Sequence, residues 1–466
     1  MITYIKINGF KSFQEFEMEF TPLTVVAGTN ASGKSNLFDA LKLLSRLAES
    51  DLKTAFSDQR GDPIELFTKL EDDLYVNEME FKVEMLLNRN IKDNWGGDEQ
   101  LNNTRLRYRL VIERKNNKLG FEDLYIKHES LEKIRPDEDG WIKKFKQAKE
   151  LSRSLKGGGS REAFIQTLEE GANTAITIRI RQDGKQGGKS TPANTITQTV
   201  LGGIVNVDFR HVFAVKEEMR SWKFLQLNPE DLREPTKQEP GIKDQITTTG
   251  KNLAATLFRI SQSDKYVLKE MSRKLNSFLP NFIEIDVYDD KPNRQFIIKL
   301  KGIDGKEYSS RVLSEGTLRL LALCILESDD KHSGLLCFEE PENGIHPFRI
   351  KSMLQLLKDL TTDFTEEDLP LRQVIVNTHS SILVREIVKW ENDINVSIHF
   401  SAMRTKLVEI EGKKRRLSIT KILQATKEKV TQPTIPYSEQ DRKLSIASIN
   451  EYLESDNSEE SNFIKD

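Results

Sequence analysis

Hydrophobic and polar positions recur with two different periods along the chain, and these periods predict its strands and helices. Short apolar runs predict strands at residues 23–27, 335–338 and 373–376. Apolar positions spaced three or four apart predict helices over residues 36–48 and 318–327. Strands that alternate with helices are typical of a largely parallel sheet. The sequence therefore predicts an α/β domain.

Two regions depart from this pattern. Residues 128–200 are rich in lysine and glycine and hold few large apolar side chains, so we predict a helical insertion there. The residues at the C-terminal end are acidic and contain a short apolar-periodic piece, which we interpret either as part of a solvated tail or as a segment that docks on a partner. These breaks divide the sequence into a first lobe at 1–90, an insertion or lid with connecting strands at 91–250, a second lobe at 251–430 and a tail at 431–466.

Composition narrows the class of protein. The chain has 466 residues and a net charge of -3, which excludes a globally basic nucleic-acid-binding protein but not a local basic patch such as residues 413–416. Its two cysteines, Cys324 and Cys337, exclude a disulfide framework and fit a reducing compartment. The N terminus lacks the apolar stretch of a signal peptide, and the apolar runs fall short of the ~20 residues that span a membrane. We therefore predict a cytoplasmic protein without membrane contact.

Residues 28–35, GTNASGKS, fit the phosphate-loop pattern G-x-x-x-x-G-K-[ST] between an apolar strand and a helix. In that context backbone N–H groups and the helix N terminus bind phosphate, the lysine neutralises the β and γ oxygens, and the serine hydroxyl ligates Mg²⁺. A second GGKS stretch at 187–190 lacks the first glycine and the leading strand, so we predict a loop there. The predicted nucleotide-binding residues are Gly28, Asn30, Ala31, Ser32, Gly33, Lys34, Ser35 and Asn36.

Acidic and histidine side chains follow two of the predicted strands. Glu339 and Glu340 end the strand at 335–338, a position where Mg²⁺ and an attacking water meet phosphate in parallel sheets. Because neighbouring side chains point in different directions, one carboxylate can face the metal ion and the other the water. His379 follows the strand at 373–376 and would lie at the same edge, either as a γ-phosphate contact or as a capping or packing residue.

Four segments occur in the order found in one lineage of ATPases. They are GFKSF at 9–13, LSEGT at 313–317, EEPENGIHP at 339–347 and NTHS at 377–380. Together with the phosphate loop they resemble the ABC-type ATPase heads of the SMC, RecF and OLD-like families, where they correspond to the N-terminal strand segment, the signature, the Walker B strand with its D-loop, and the switch histidine. The resemblance implies an α/β, two-lobed ATPase head with a mixed or parallel sheet, which binds ATP and Mg²⁺.

The resemblance also implies roles for single residues. Such heads form homodimers or higher oligomers head to tail, with ATP between two subunits. Lys34 and Ser35 would then bind ATP and Mg²⁺ in one subunit. The signature residues Ser314, Glu315 and Gly316 would reach the γ-phosphate bound to the other.

In these families the catalytic carboxylate orients the attacking water and the switch histidine contacts the γ-phosphate, which implies Glu340 and His379 here. Glu339 stands where the family usually has a metal-binding aspartate, so its longer side chain implies a direct or water-mediated contact with Mg²⁺. Gln59 is the candidate for the Q-loop glutamine.

The length of the insertion discriminates within the lineage. The 280 residues from Lys34 to Ser314 exceed what a transporter head needs and fall short of an SMC arm. Only 54 residues follow Gly412 and they contain no D-x-D pattern, so we expect no nuclease domain within the chain. In overall form the chain most resembles the PtuA ATPases of the bacterial Septu antiviral system, whose partner PtuB is an HNH nuclease.

Three functions follow from this comparison. The first is an antiphage ATPase that controls a partner nuclease, and the AriA ATPases of the PARIS system are a near rival to PtuA. The second is a RecF-like DNA-repair ATPase, for which the basic residues 413–416 would contact DNA; the alternative interpretation of those residues is a solvated hairpin. The third, a transporter or motor head, is disfavoured by the LSEGT form and by the lack of a membrane-spanning segment.

Overall fold

The computed structural model describes residues 1–71, 74–92, 96–149, 163–170, 175–181, 188–239, 244–263, 266–364, 370–390, 392–410 and 413–425. Its helices are α1 Lys34–Leu47, α2 Leu52–Ser57, α3 Gly140–Lys144, α4 Arg210–Ser221, α5 Pro229–Arg233, α6 Leu253–Ser263, α7 Val267–Phe278, α8 Glu315–Glu327, α9 Ile350–Asp359 and α10 Ser381–Val388. Its strands are β1 Ile2–Asn8, β2 Phe16–Glu19, β3 Leu23–Ala27, β4 Lys69–Glu71, β5 Leu74–Tyr75, β6 Glu78–Leu86, β7 Asn90–Lys92, β8 Asp98–Gln100, β9 Arg105–Asn116, β10 Glu122–Lys133, β11 Ile165–Glu170, β12 Ala175–Arg181, β13 Gly188–Pro192, β14 Lys223–Leu225, β15 Thr236–Lys237, β16 Phe282–Asp290, β17 Gln295–Gly302, β18 Glu307–Ser309, β19 Gly334–Glu339, β20 Arg372–Thr378, β21 Val396–Ile410 and β22 Lys413–Gln424.

A six-stranded sheet with the order β14-β19-β20-β3-β21-β22 lies at the centre of the fold. The first five strands are parallel, and β22 returns antiparallel along β21. Strands β3, β19 and β20 are buried almost throughout, because both faces of the sheet are covered. Alternation along a strand divides their side chains between two hydrophobic cores, so that Val26 joins the first and Val25 the second.

The two cores define two lobes. The first contains α1, α2 and α4 and an antiparallel sheet of order β13-β12-β11-β10-β9-β6-β1-β2. The second contains α6 to α10 and the sheet formed by β15 to β18. Gln373 of β20 links the central sheet to the first lobe, since its amide accepts from the N–H of Ile2 and donates to the carbonyls of Ile2 and Thr21. The predicted α/β class with a mixed, largely parallel central sheet is confirmed.

The predicted helical insertion is wrong where the structure describes it. The described residues between 128 and 200 include the end of β10 and the strands β11, β12 and β13, which extend the antiparallel sheet of the first lobe, and a helix, α3, of only five residues. The strands escaped the sequence pattern because their buried side is short: Ile165, Ile178 and Ile180 are buried, and most of their neighbours are polar. The GGKS stretch predicted as a loop contributes to β13.

Two further expectations concern the C-terminal tail and membrane-spanning segments. The predicted tail at 431–466 lies outside the described residues. Among the helices of the described part, none is long and apolar enough to cross a membrane.

Candidate active site

Three neighbouring parallel strands end at one edge of the central sheet. Ala27 of β3 pairs with Thr378 of β20, and Asn377 of β20 pairs with Glu339 of β19. The segments that follow these strands are the phosphate loop, His379, and the turn that begins at Glu340. The topology therefore brings together the residues that the sequence predicted for phosphate, metal and water, at the edge where ligands bind in such sheets.

The phosphate loop presents unpaired donors. Helix α1 begins at Lys34 after Gly33, which has a φ of 88° and provides no side-chain cap. Among the described residues, the backbone amides of Gly33, Lys34 and Ser35 have no acceptor. Their N–H groups and the positive end of the helix dipole form a cradle for an anion. Gly33 is required because its φ is left-handed and because a side chain there would overlap Thr420.

Residues from the β21–β22 hairpin and from the GFKSF segment fix the shape of this loop. The Ser401 hydroxyl donates to the Ser32 carbonyl at 2.8 Å. Thr420 lies 2.6 Å from the Ser12 hydroxyl, which in turn accepts a hydrogen bond from Asn36 Nδ2 at 2.7 Å. The GFKSF segment thus stabilises the first turn of α1 through the contact between Ser12 and Asn36, a role that the sequence pattern alone does not reveal.

Lys34 is held inside the loop. Its Nζ donates to the carbonyl of Gly28 at 2.6 Å and to that of Thr29 at 2.8 Å. Burial lowers the pKa of Lys34, and the charges of Glu340 and Glu342 oppose that shift. An ammonium group that is bonded only to neutral carbonyls keeps its full charge for an incoming phosphate.

The residues present fit a triphosphate with Mg²⁺. The unpaired amides and Lys34 would hold phosphate oxygens, and the exposed Ser35 hydroxyl would supply a metal ligand, as predicted. Glu339 is half-buried at the end of β19. Burial raises the pKa of Glu339, against the opposing charge of Arg60 and with a further rise from Asp39 and Glu340. A bound cation would favour the charged form of such a carboxylate, which suits the metal role assigned to it.

Two side chains contact the Glu340 carboxylate, one at each oxygen. Its Oε1 lies 2.8 Å from His379 Nδ1, and its Oε2 accepts from Asn343 Nδ2 at 2.8 Å. Its backbone has a φ of 46°, and its N–H donates to the Asn377 carbonyl. Burial raises the pKa of Glu340, but the hydrogen bonds from Asn343 and His379 and the charges of His379 and Lys34 outweigh it, so the pKa lies below its usual range. The result is an ionised, oriented acceptor, which is what the activation of a water requires.

The signature segment lies against the turn that follows Glu340. Ser314 is the N-cap of α8, where its Oγ accepts from Thr317 N at 3.3 Å, and Glu315 forms an ion pair with Arg319 at 2.8 Å. A side chain on Gly316 would come within 2.7 Å of the Gly344 carbonyl oxygen. Within the described part of the chain, no hydrogen bond or ion pair joins residues 313–317 to the phosphate loop.

The amide of Gln59 is bonded to the backbone of the preceding helix. Gln59 is buried, and its Nε2 donates to the carbonyl of Ala55 in α2 at 3.2 Å. The next residue, Arg60, is exposed, and its charge acts on Glu339. Sequence reasoning assigned no role to Arg60 or Asn343. Arg60 belongs to no recognised motif, and Asn343 lies in the EEPENGIHP segment, where only the two leading glutamates were given roles.

Comparison with known families identifies the family to which this chain belongs. The model of the AAA_21 family, described as "AAA domain, putative AbiEii toxin, Type IV TA system", matches residues 23–385. The chain belongs to the AAA_21 family. It is therefore an ATPase domain of this type, and the match spans every segment of the edge from the phosphate loop to His379.

Several solved SMC heads are similar to this AAA_21 protein. One is the SmcHead bound to the C-winged helix domain of ScpA, with a TM-score of 0.45 and 13% identity over 91% of this chain and 98% of that one. The SMC head domain from Thermotoga maritima has a TM-score of 0.37 and 13% identity over 91% and 99%. The Smc head domain with an extended coiled coil, bound to the C-terminal domain of ScpA from Pyrococcus furiosus, has 0.40 and 13% over 91% and 96%. A search of curated proteins found no significant match.

Proposed function

We propose that this AAA_21 protein is the slowly hydrolysing ATPase subunit of a bacterial antiphage complex, in which it controls a partner effector nuclease of the HNH type. The observation that carries the ATPase part is the position of the unpaired phosphate-loop amides beside the Glu340–His379 pair at one sheet edge. Hydrolysis would be slow because, in the described part of the chain, the signature residues make no hydrogen bond or ion pair with their own phosphate loop. A second subunit has to supply them.

Exposed apolar side chains support a dimer of this kind. Val312, directly before the signature, is 69% exposed, and Phe348, in the segment that follows Glu340, is 91% exposed. Each of them flanks a segment of the proposed dimer site, so we assign both to its interface. In a homodimer or a higher oligomer built head to tail, Ser314, Glu315 and Gly316 of one subunit would face the γ-phosphate held by Lys34 of the other.

The effector is proposed on two grounds. The description of the matching family names a putative toxin of a toxin–antitoxin system. Such a system has two components, so we expect a partner encoded next to this chain. The form of residues 338–347, FEEPENGIHP, resembles the PtuA ATPases of Septu most, with a sensor of the PARIS type as the near rival. The two buried free thiols, Cys324 and Cys337, support a reducing compartment such as the cytoplasm.

A RecF-like repair ATPase is the alternative function, and the β21–β22 hairpin is the surface that would serve it. Arg416 is exposed on this hairpin and could contact DNA phosphates. However, Arg415 pairs with Glu71 and Lys406 with Glu15, so part of the positive charge is already neutralised. This balance favours the effector-controlling function over direct DNA binding.

Co-expression of the chain with the product of its adjacent gene tests the proposal. Size-exclusion chromatography with mass measurement should show a stable complex, and its DNA cleavage should change with ATP concentration and disappear when the partner's nuclease site is mutated. A chain that purifies alone, shows no ATP-dependent effector and hydrolyses ATP faster when DNA is added would support the RecF-like alternative instead.

A further inference from the structure

Glu342 is a buried carboxylate next to the catalytic turn, and the sequence analysis assigned it no role. Its side chain is 8% exposed. Its Oε1 accepts a hydrogen bond from the Thr378 hydroxyl. Within the described residues its Oε2 has no hydrogen-bond partner. Burial of a carboxylate is costly when it is not fully bonded, so packing alone does not explain its presence.

Thr378 connects this carboxylate to the switch histidine. Its hydroxyl donates to Glu342 and accepts from the backbone N–H of Ser380 at 3.0 Å. These two bonds fix the backbone on both sides of His379. His379 Nδ1 in turn lies 2.8 Å from Glu340 Oε1. A continuous set of contacts therefore runs from Glu342 through the turn after β20 to the Glu340 carboxylate.

We propose that Glu342 is a positioning residue for ATP hydrolysis: through Thr378 it holds the turn that aims His379 at Glu340. This inference rests on the ATP hydrolysis proposed above. A residue in this role acts mainly on the geometry of the catalytic pair, because its side-chain hydrogen bond comes from Thr378. Within the described residues no hydrogen bond joins Glu342 to the phosphate loop, where its charge acts on the pKa of Lys34. Its loss should therefore lower kcat and leave the affinity for ATP almost unchanged.

The test compares Glu342→Ala, Glu342→Gln, Thr378→Val and Thr378→Ser in steady-state phosphate-release assays with the full chain. Misplacement of a catalytic group by about 1 Å can cost about a hundredfold in rate. We expect kcat to fall by about tenfold to a hundredfold in Glu342→Ala and Thr378→Val, with KM changed by less than about threefold. Glu342→Gln keeps an oxygen that accepts from Thr378, and Thr378→Ser keeps the hydroxyl, so both should stay within about threefold of the wild type.

A matched control and a double-mutant cycle separate positioning from simple loss of stability. Asp290 is also 8% exposed and accepts from Asn293 and Gln295, but it lies in the four-stranded sheet of the second lobe. Asp290→Ala should lower the melting temperature without changing kcat. In a His379→Ala background, Glu342→Ala should cost little further activity, because both changes remove the same interaction.

The outcomes are distinct. Unchanged kcat in folded Glu342→Ala and Thr378→Val would overturn the inference and leave the ATPase proposal intact. So would a full additional loss in the His379→Ala background, or a loss in Glu342→Ala that Asp290→Ala reproduces at the same melting temperature. A wild-type protein that binds ATP in its dimer and never hydrolyses it would overturn the proposed hydrolysis and this inference with it.

Discussion

Replacement of Glu340 by glutamine separates catalysis from stability in this site. Glu340 uses both carboxylate oxygens, one beside His379 and one as the acceptor for Asn343. Glutamine has one acceptor oxygen, so one of these contacts is lost. Because the Glu340 side chain is 37% exposed, we expect a loss of folding free energy below about 1 kcal/mol.

The rate should respond far more strongly. A residue that activates water contributes about a hundredfold to ten-thousandfold, which corresponds to about 3 to 5 kcal/mol in the barrier. Glu340→Gln should therefore bind ATP normally, accumulate as an ATP-bound dimer and release phosphate at least about a hundredfold more slowly. Single-turnover phosphate release and size-exclusion chromatography with ATP and Mg²⁺ measure both effects, with the exposed Glu307→Gln as a control. Normal hydrolysis by a folded, ATP-binding Glu340→Gln variant would refute the assignment.

Three further predictions follow from the structure. Lys34→Ala should abolish binding of a fluorescent ATP analogue. The control Lys53→Ala, which alters an exposed lysine on α2, should bind the analogue normally. Retained binding in Lys34→Ala would contradict the assignment of the phosphate loop. The Arg372 guanidinium donates to the carbonyls of Glu327, Asp329 and His332, at and just after the C-terminal end of α8. Arg372→Met should therefore lower the free energy of unfolding, measured in urea, by about 3 kcal/mol. A loss no larger than that of a surface substitution would argue against this capping role. Burial raises the pKa of Glu129 from 4.5 to about 7, so between these pH values the folded chain retains a proton that the unfolded chain releases. The free energy of unfolding should therefore fall by about 3 kcal/mol as the pH rises from 4.5 to 7 and then level off. Glu129→Gln should remove this dependence, and an identical pH profile in both proteins would show that another group causes it.

The sequence predicted the elements whose signals are local. The apolar run at 23–27, the glycines and Lys34 define a strand, a loop and a helix within 26 residues, and α1 ends at Leu47, one residue before the predicted end. The convergence of Glu340 and His379 was also predictable, since parallel strands present their carboxyl ends at one edge. Their direct contact at 2.8 Å confirms that these two residues meet.

Long-range pairing set the limit of that reasoning. The strands β11 to β13 carry too few apolar residues to be recognised singly, and they are stabilised by pairing along one another and along β10. The contacts of Asn343 and Thr378 depend on a turn in which Glu340 adopts a left-handed backbone, which no spacing in the sequence predicts. Gln59 was the candidate for the Q-loop glutamine, and in the structure its amide donates to the Ala55 carbonyl.

The turn after β19 explains why ATP turnover should depend on the state of the signature helix. Within five residues it contains Glu340, then Asn343, which holds the Glu340 carboxylate, and then Gly344, whose carbonyl packs on Gly316 at the start of α8. The fit at Gly316 leaves no room for a side chain, so a shift of α8 toward this turn would displace Gly344. Asn343 is its direct neighbour and would move with it. A γ-phosphate bound by the signature of a second subunit would therefore act on the geometry of Glu340 over only a few residues, and a partner that holds the two subunits apart would keep the carboxylate in the arrangement seen in the single chain.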